Sequence, residues 1–282
     1  MLVVDRIRKS ASIARWVWTH PANRGRRAKA MGTWLSFQIN GAVRGRRRIA
    51  TIGERTKIWA ELHQVSALAA YANPPEWCEM RTWQAHLRLN DLFIDVGANV
   101  GLYSLFAFDC EANVIAFEPD EESRARLREN AELNNAVAIE IRSEAVADRS
   151  GEMHFTQGLG LMNQLVLREP DVSAVSVRAI TLDEVIGARV VAGLKVDVEG
   201  AERLVLEGAT RALSSHRIKL IQLEWNSYSE QLLGEDRTPV ADLLQVHGYR
   251  LFRPTQDGSR TPVRSMEYGA DVFAYPEGPV TR

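Results

Sequence analysis

The sequence has little cysteine and no long apolar run. Its two cysteines, Cys78 and Cys110, lie far apart and form no C-x-x-C pair. They provide no disulfide framework, and we expect both to be reduced. No stretch approaches the ~18 consecutive apolar residues of a membrane span. Asp5, Arg6 and Arg8 interrupt any signal-peptide core. These absences predict a cytoplasmic protein.

Net charge is also nearly absent, at −1, but the charges are unevenly distributed. Residues 1–50 contain twelve Lys or Arg and one acid, Asp5, a net charge of +11, so the remainder sums to −12. We expect this basic segment to pack on the acidic remainder or on a second subunit of a homodimer. The alternatives are peripheral contact with a membrane surface or an anionic carrier and, least favoured, binding of nucleic acid.

The residue patterns divide the chain into two predicted parts. Residues 1–73 form a basic, tryptophan-rich extension, with helices over 3–18 and 27–40 and a β-hairpin over 46–62. Residues 74–282 form an α/β domain, because short apolar runs alternate with helical patterns from residue 91 onward.

This alternation predicts a mainly parallel sheet. The predicted parallel strands are 92–96, 113–117, 137–142, 194–198 and 218–224, and the closing antiparallel pair is 249–252 with 271–274. A helix is predicted over 201–213. Ligands bind outside the carboxyl ends of the strands in sheets of this kind.

The first strand runs into Gly97-Ala98-Asn99-Val100-Gly101, a tight turn that precedes a helix. This turn lacks the middle glycine of G-x-G-x-x-G, which lets a backbone approach a pyrophosphate. Acids end the first two strands instead, and Glu118 follows Gly97 by close to the ~20 residues expected for a ribose-binding carboxylate. S-adenosylmethionine has no phosphate but carries a sulfonium and an ammonium, so Asp95 suits it. The turn therefore predicts a methyl-donor site.

Four ordered motifs carry a resemblance to a known family: DVGANVG at 95–101, AFEPD at 116–120, RENAELNN at 128–135 and LKVDVEGAE at 194–202. Over about residues 88–230 the chain resembles the FkbM family of S-adenosylmethionine-dependent methyltransferases. The resemblance implies a Rossmann-like class I methyltransferase fold with a mainly parallel seven-stranded sheet. It also implies O-methylation of a sugar or natural-product hydroxyl.

The predicted cofactor residues follow the first three strands. We expect Asp95 near the methionine moiety, Glu118 on the ribose hydroxyls, and Glu144 with Ala145 at the adenine. The full predicted set is Asp95, Gly97, Ala98, Asn99, Gly101, Tyr103, Ser104, Glu118, Pro119, Glu144 and Ala145. Of the tryptophans, Trp77 and Trp83 are those expected to reach the pocket.

The predicted catalytic residues follow later strands. An acceptor hydroxyl must lose its proton, so Asp197, Glu199 and Glu224 are candidates for a general base or for ligands of Mg²⁺. A purely structural role for Asp197 is the third interpretation. His154 is a further candidate base, and the loop 158–163 is a candidate lid over the acceptor.

The leading functional prediction is an O-methyltransferase that uses S-adenosylmethionine and acts on a small-molecule or saccharide acceptor, with Mg²⁺ as a candidate metal cofactor. N-methylation of a small molecule is the first alternative, because an amine needs less help from a base. An NAD-dependent oxidoreductase and a non-catalytic binding module are the others.

Overall fold

The computed structural model describes residues 2–43, 47–62, 64–156, 165–166, 174–263 and 267–277. The strands are β1 (Arg47–Ile52), β2 (Thr56–Glu61), β3 (Leu92–Val96), β4 (Asn113–Phe117), β5 (Ile139–Arg142), β6 (Ala145–Val146), β7 (Gly151–Thr156), β8 (Leu165–Val166), β9 (Ala174–Ile180), β10 (Gly193–Val196), β11 (Ile221–Leu223), β12 (Tyr249–Pro254), β13 (Arg260–Pro262) and β14 (Val272–Pro276). The helices are α1 (Leu2–Thr19), α2 (Arg27–Val43), α3 (Trp77–His86), α4 (Leu102–Asp109), α5 (Glu121–Leu133), α6 (Leu182–Ile186), α7 (Glu202–Glu207), α8 (Thr210–Ser214), α9 (Tyr228–Leu232) and α10 (Thr238–Val246).

The central sheet has eight strands in the order β13-β12-β14-β11-β10-β3-β4-β5. The five strands from β11 to β5 are parallel, and β14, β12 and β13 are antiparallel to their neighbours. The chain builds β3, β4 and β5 outward and then returns to β10 on the other side of β3. The carboxyl ends of β3 and β10 therefore flank a topological switch point, where ligands bind in open α/β sheets.

The parallel strands form where the sequence is apolar on both faces. On β3, Ile94 and Val96 belong to one core cluster and Phe93 belongs to the cluster on the opposite face. All three side chains are at most 1% exposed. Burial on both faces is typical of parallel strands covered by helices, and each such side chain contributes about 1.5–3 kcal/mol relative to exposure.

The predicted Rossmann-like fold is confirmed, and β3 and β4 have the predicted bounds. The strand number differs from the expectation, since Arg260–Pro262 adds an eighth, edge strand. The strand at 194–198 ends earlier, at Val196, because Glu199 and Gly200 adopt positive φ angles of 53° and 104° and turn the chain. The helix over 201–213 is divided at Gly208, which lies against the backbone carbonyl of Ala147.

A second, smaller sheet has the order β6-β9-β7-β8. Its strands follow β5 along the chain. β7 pairs antiparallel with both β9 and β8. The loop 158–163, the candidate lid, lies outside the described residues.

The N-terminal part packs on the α/β domain through its β1–β2 hairpin. The carboxylate of Asp109, at the end of α4, accepts the amide N–H groups of Glu54, Arg55 and Thr56 at 2.7–2.9 Å. From α5, Asn130 Oδ1 accepts the amide N–H of Trp59 at 2.8 Å. The extension is therefore fastened to the domain by side chains that bind its main chain.

The N-terminal charge is only partly matched by acids of the domain. Among its described basic side chains, Arg47 pairs with Glu129 at 2.6 Å and with Glu61 at 3.7 Å, and Arg55 pairs with Glu111 at 3.1 Å. Within the described ranges, no helix has the length and apolar character needed to cross a membrane. Homodimer formation and membrane contact through this segment stay predictions.

Candidate active site

A cavity of about 450 Å³ opens at the carboxyl ends of β3, β4 and β10. Most of the residues predicted from sequence line it. From the predicted cofactor set, the lining residues are Asp95, Gly97, Ala98, Asn99, Tyr103, Glu118, Pro119, Glu144 and Ala145. Asp197, Glu199 and Glu224 line the other end. The structure therefore joins the predicted cofactor and catalytic residues in one volume.

The turn after β3 brings the backbone very close to β10. Gly97 has a φ of +81°, and a Cβ at this position would lie 1.8 Å from the carbonyl oxygen of Asp197. The amide N–H groups of Gly97 and Ala98 both donate to the carbonyl of Phe117, at 3.0 and 2.9 Å. A glycine is required here because any side chain would push the two strand ends apart.

Gly101 and Ser104 do not line the cavity but support it. Gly101 is the N-cap of α4, with a φ of 90°, and a Cβ there would meet Leu127. Ser104 is fully buried, and its hydroxyl donates to Asp95 Oδ2 at 2.6 Å. Both residues, predicted as cofactor contacts, instead support the helix and the carboxylate that border the cavity.

Asp95 is 1% exposed, and its Oδ1 has no hydrogen-bond partner among the described residues. Burial raises the pKa of this carboxyl, and the nearby Lys195 ammonium opposes the rise. A buried carboxylate oxygen without a donor is costly unless a ligand supplies one. Asp95 therefore fits a ligand with an N–H donor, such as an ammonium.

Glu118 is held by two backbone amides. Its Oε2 accepts from the N–H of Asn99 at 2.7 Å and its Oε1 from the N–H of Asp120 at 2.8 Å. Burial is the main cause that raises the pKa of Glu118 to about 7. Pro119 precedes the helix rather than opening it, because Asp120 is the N-cap of α5. The Glu118 carboxylate is thus fixed in the cavity wall with lone pairs left for ligand hydroxyls.

The wall near Glu144 is largely apolar. Ala145, Val146, Phe117 and Phe155 line it. Glu144 pairs with Arg142 at 2.6 Å, and this hydrogen bond holds the pKa of Glu144 below its usual value. The combination of an apolar slot and one carboxylate at its edge suits a flat heteroaromatic ring with an exocyclic amine.

The three acids of the opposite end lie close together. One carboxylate oxygen each from Asp197, Glu199 and Glu224 falls within 4.8 Å of the other two, an arrangement that could hold a cation. Burial, followed by the charge of Asp197, raises the pKa of Glu199 to about 7 and that of Glu224 to about 10. One oxygen of Glu199 and one of Glu224 are buried without a partner among the described residues.

Lys195 is a buried cation that lines the cavity. Its Nζ lies 2.7 Å from Asp197 Oδ2, and its side chain is buried. Burial opposes the charge, but Asp197, Asp95 and Asp271 outweigh it and hold the pKa of Lys195 above its usual value. The sequence carried a signal for this placement. Residues 195 and 197 are two apart, and residues two apart along a strand face the same side, so Lys195 shares a face with Asp197.

Sequence reasoning also missed Glu76, Glu79 and Asp271, which line the acidic end. Asp271 had a signal, because it immediately precedes β14, and β14 is antiparallel, so its start lies beside the carboxyl ends of the parallel strands. Glu76 and Glu79 come from the start of α3, where no local pattern indicates a site.

Two predictions are wrong in placement. His154 is exposed on β7 and does not line the cavity, whereas the next residue, Phe155, does, because alternate strand residues face opposite sides. Trp83 is buried against Phe93 and Phe273 behind the sheet. Trp77 lines a separate pocket, together with Pro254.

Comparison with known proteins identifies the family. A model described as the methyltransferase FkbM domain matches residues 95–251. The chain is 31% identical over 199 residues to 31-O-demethyl-FK506 methyltransferase FkbM of Streptomyces tacrolimicus, a match that covers 58% of this chain and 74% of that relative. It is 30% identical over 137 residues to hexuronic acid methyltransferase AglP of Haloferax volcanii, covering 48% of this chain and 56% of the relative.

The chain thus spans little more than half of the archaeal relative's length. The crystal structure of a methyltransferase FkbM from Methylobacillus flagellatus is similar at a TM-score of 0.43 and 18% identity, over 68% of this chain and 45% of that one. The family model covers more than half of the chain, and the Streptomyces relative is matched over most of its length. This chain belongs to the FkbM methyltransferase family.

Proposed function

We propose that this protein is an S-adenosylmethionine-dependent O-methyltransferase whose acceptor is a hydroxyl of a sugar, glycoconjugate or natural-product metabolite. The observation that carries the proposal is the shared cavity, in which the unpartnered oxygen of Asp95 and the carboxylate of Glu118 adjoin the acid cluster of Asp197, Glu199 and Glu224. Membership of a methyltransferase family decides against the NAD-dependent oxidoreductase.

The residues present fit this methyl donor. Asp95 would accept from the ammonium group, Glu118 from the ribose hydroxyls, and the slot at Ala145 and Phe155 would take the adenine. When bound, the donor supplies a methyl group already activated by the sulfonium. The protein's main task is to hold the acceptor oxygen about 3–3.5 Å from that carbon.

Glu199 is the proposed general base. Asp197 is engaged by Lys195, and Glu224, with a pKa of about 10, holds its own proton at neutral pH. Glu199, with a pKa of about 7, can accept the hydroxyl proton as the acceptor oxygen attacks. The proton moves to Glu199, the methyl group to the acceptor oxygen, and S-adenosylhomocysteine and an ether are released.

Mg²⁺ is a second candidate at the same acids, since it prefers oxygen ligands and Asp197, Glu199 and Glu224 converge. If used, the ion would lower the pKa of the acceptor hydroxyl and replace the base. Treatment with EDTA tests this alternative: unchanged turnover supports Glu199 as a direct base, and loss that added Mg²⁺ restores supports the metal.

The acceptor class is supported by the relatives' names, one of which refers to a hexuronic acid and the other to a 31-O-demethyl compound. The Asp197–Glu199–Glu224 cluster also supports a hydroxyl, because an amine acceptor needs less base assistance. Methylation of amines but not hydroxyls would favour the N-methyltransferase alternative.

Calorimetric titration with S-adenosylhomocysteine tests the cofactor assignment on which the proposal rests. Wild-type protein should bind at micromolar concentration, and Asp95→Asn with Glu118→Gln should abolish binding. Asp91→Asn, just before β3, is the matched control, because its carboxylate accepts a hydrogen bond from the amide N–H of Arg88 and is not among the described residues that line the cavity. Absence of binding by the wild type would refute the cofactor assignment.

A further inference from the structure

A buried hydrogen-bond chain crosses from α3 to the cavity wall. The indole N–H of Trp83 donates to Gln222 Oε1. Gln222 Nε2 donates to the hydroxyl oxygen of Tyr103 at 2.9 Å and to Asp271 Oδ2 at 2.7 Å. Tyr103 in turn donates to Glu76 Oε2. Gln222 is fully buried and Trp83 is 1% exposed, so water does not compete for these bonds.

The direction of every bond in this chain is fixed. An indole N–H can only donate, so the amide oxygen of Gln222 must face Trp83 and its NH₂ must face Tyr103 and Asp271. The Tyr103 oxygen accepts from Gln222, and its own proton goes to Glu76. Two carboxylates from distant parts of the chain, Glu76 and Asp271, are thereby oriented by one glutamine.

Each of these carboxylates has a second oxygen that the chain does not use. Glu76 Oε1 and Asp271 Oδ1 have no hydrogen-bond partner within the described residues, and both side chains line the cavity. Burial is the main cause that raises the pKa of each group to about 7. These oxygens are acceptors held in place for donors on a ligand.

The charge of this end selects among ligands. Glu79 adds a third carboxyl, and of the described residues that line the cavity Lys195 is the one cation. Lys195 is already engaged by Asp197 and lies 4.7 Å from the Tyr103 ring centroid. A carboxylate or phosphate brought to Glu76 and Asp271 would meet like charge and lack a free partner.

We propose that Glu76 and Asp271 are the acceptor-recognition residues of this site and that Gln222 positions them. They accept hydrogen bonds from a donor-rich acceptor group without negative charge, either neighbouring hydroxyls of a neutral sugar or the ammonium of an amino sugar. This inference rests on the proposed function, and it adds the charge class of the acceptor.

Three matched probes test the charge class: methyl glucoside, glucosamine and glucuronate, each added to protein saturated with S-adenosylhomocysteine and followed by saturation-transfer NMR. We expect methyl glucoside or glucosamine to bind and glucuronate to bind at least tenfold more weakly. Stronger binding of glucosamine than of methyl glucoside identifies the ammonium as the group that Glu76 and Asp271 bind. Equal binding of the two probes identifies the hydroxyls. Glucuronate binding as well as the others, or binding by none of the three, overturns the proposal.

The variants Glu76→Gln and Asp271→Asn locate the contact. Each should weaken the binding probe about tenfold, consistent with loss of one charge-assisted hydrogen bond worth about 1.5 kcal/mol. Affinity for S-adenosylhomocysteine should not change. Unchanged probe binding in both variants overturns the proposal. Failure of the wild type to bind S-adenosylhomocysteine would instead refute the proposed function.

Gln222 and Trp83 are tested as positioning residues. The hydrogen bond from Gln222 lowers the pKa of Asp271, so Gln222→Leu should raise that pKa. Asp271 then ionises at a higher pH, and the pH at which the probe binds half-maximally should rise. Trp83→Phe keeps an aromatic ring but removes the indole N–H, so the side-chain amide of Gln222 is free to rotate. This variant should shift the same pH midpoint. Thr82→Val, beside Trp83 on α3, is the control. A purely structural role would lower the melting temperature and leave the midpoint unchanged, which would overturn the assignment.

Discussion

The Nζ of Lys195 lies 2.7 Å from Asp197 Oδ2, and the same ammonium also acts on Asp95, the unpartnered carboxylate of the cofactor end. One buried cation thus favours the ionised form of Asp95, at the predicted cofactor end, and is also paired with Asp197, beside the proposed base. The two halves of the cavity are therefore electrostatically coupled, and a change at Lys195 should be detected in both.

Lys195→Met should weaken binding of S-adenosylhomocysteine at pH 7 by about tenfold, the loss expected when a charge-assisted hydrogen bond of about 1.5 kcal/mol is lost. Without the ammonium the pKa of Asp95 rises further, so more of the carboxyl is protonated and cannot hold an ammonium. Raising the pH should restore affinity. Calorimetry between pH 6 and 9 measures this, with Lys219→Met as control, and a pH-independent deficit would contradict it.

Glu199→Gln should lower kcat by about 10²–10⁴-fold, the usual contribution of a general base, and leave S-adenosylhomocysteine affinity intact. In the wild type, kcat should rise with pH through about 7, because the pKa of Glu199 is about 7 and only its ionised form accepts a proton. The variant should lose this limb of the profile. Glu207→Gln, whose carboxylate pairs with Arg203, is the control.

Gly97→Ala should abolish cofactor binding, because the new Cβ would lie 1.8 Å from the Asp197 carbonyl oxygen and the φ of +81° disfavours a side chain. The left-handed conformation alone costs about 1–2 kcal/mol, and the displaced strand end adds to that cost. Gly32→Ala on α2, where a Cβ meets nothing within 4 Å, should retain binding. Equal affinity of the two variants would contradict the close approach described for the turn.

Arg237→Met should destabilise the fold by about 3–5 kcal/mol, because it leaves Glu202 as an unpaired buried charge. Both side chains of this pair are fully buried. Arg250→Met breaks the exposed pair with Glu277 and should leave the unfolding midpoint nearly unchanged, because solvent screens this pair. Urea denaturation of both variants measures the difference, and similar midpoints would show that the buried pair contributes little.

The parts of the site that could be predicted from sequence are those set by local pattern. Asp95 and Glu118 end apolar runs, and parallel pairing necessarily brings such ends together. Glu76 could not be found this way, because it reaches the cavity through the packing of α3 on the sheet. His154 was predicted to reach the site because a histidine can act as a base. On β7, however, alternate residues face opposite sides, so Phe155 is buried and His154 is exposed.

The hairpin of residues 47–61 is held by Asp109, Asn130 and Asn134 through its main-chain groups. Such bonds do not depend on which side chains the hairpin carries. The exposed positions of the hairpin are thus free to vary in sequence, whereas Ile52 and Ile58 are fully buried in the core and are not. Substitutions at those exposed positions should therefore leave the attachment of the hairpin to α4 and α5 unchanged.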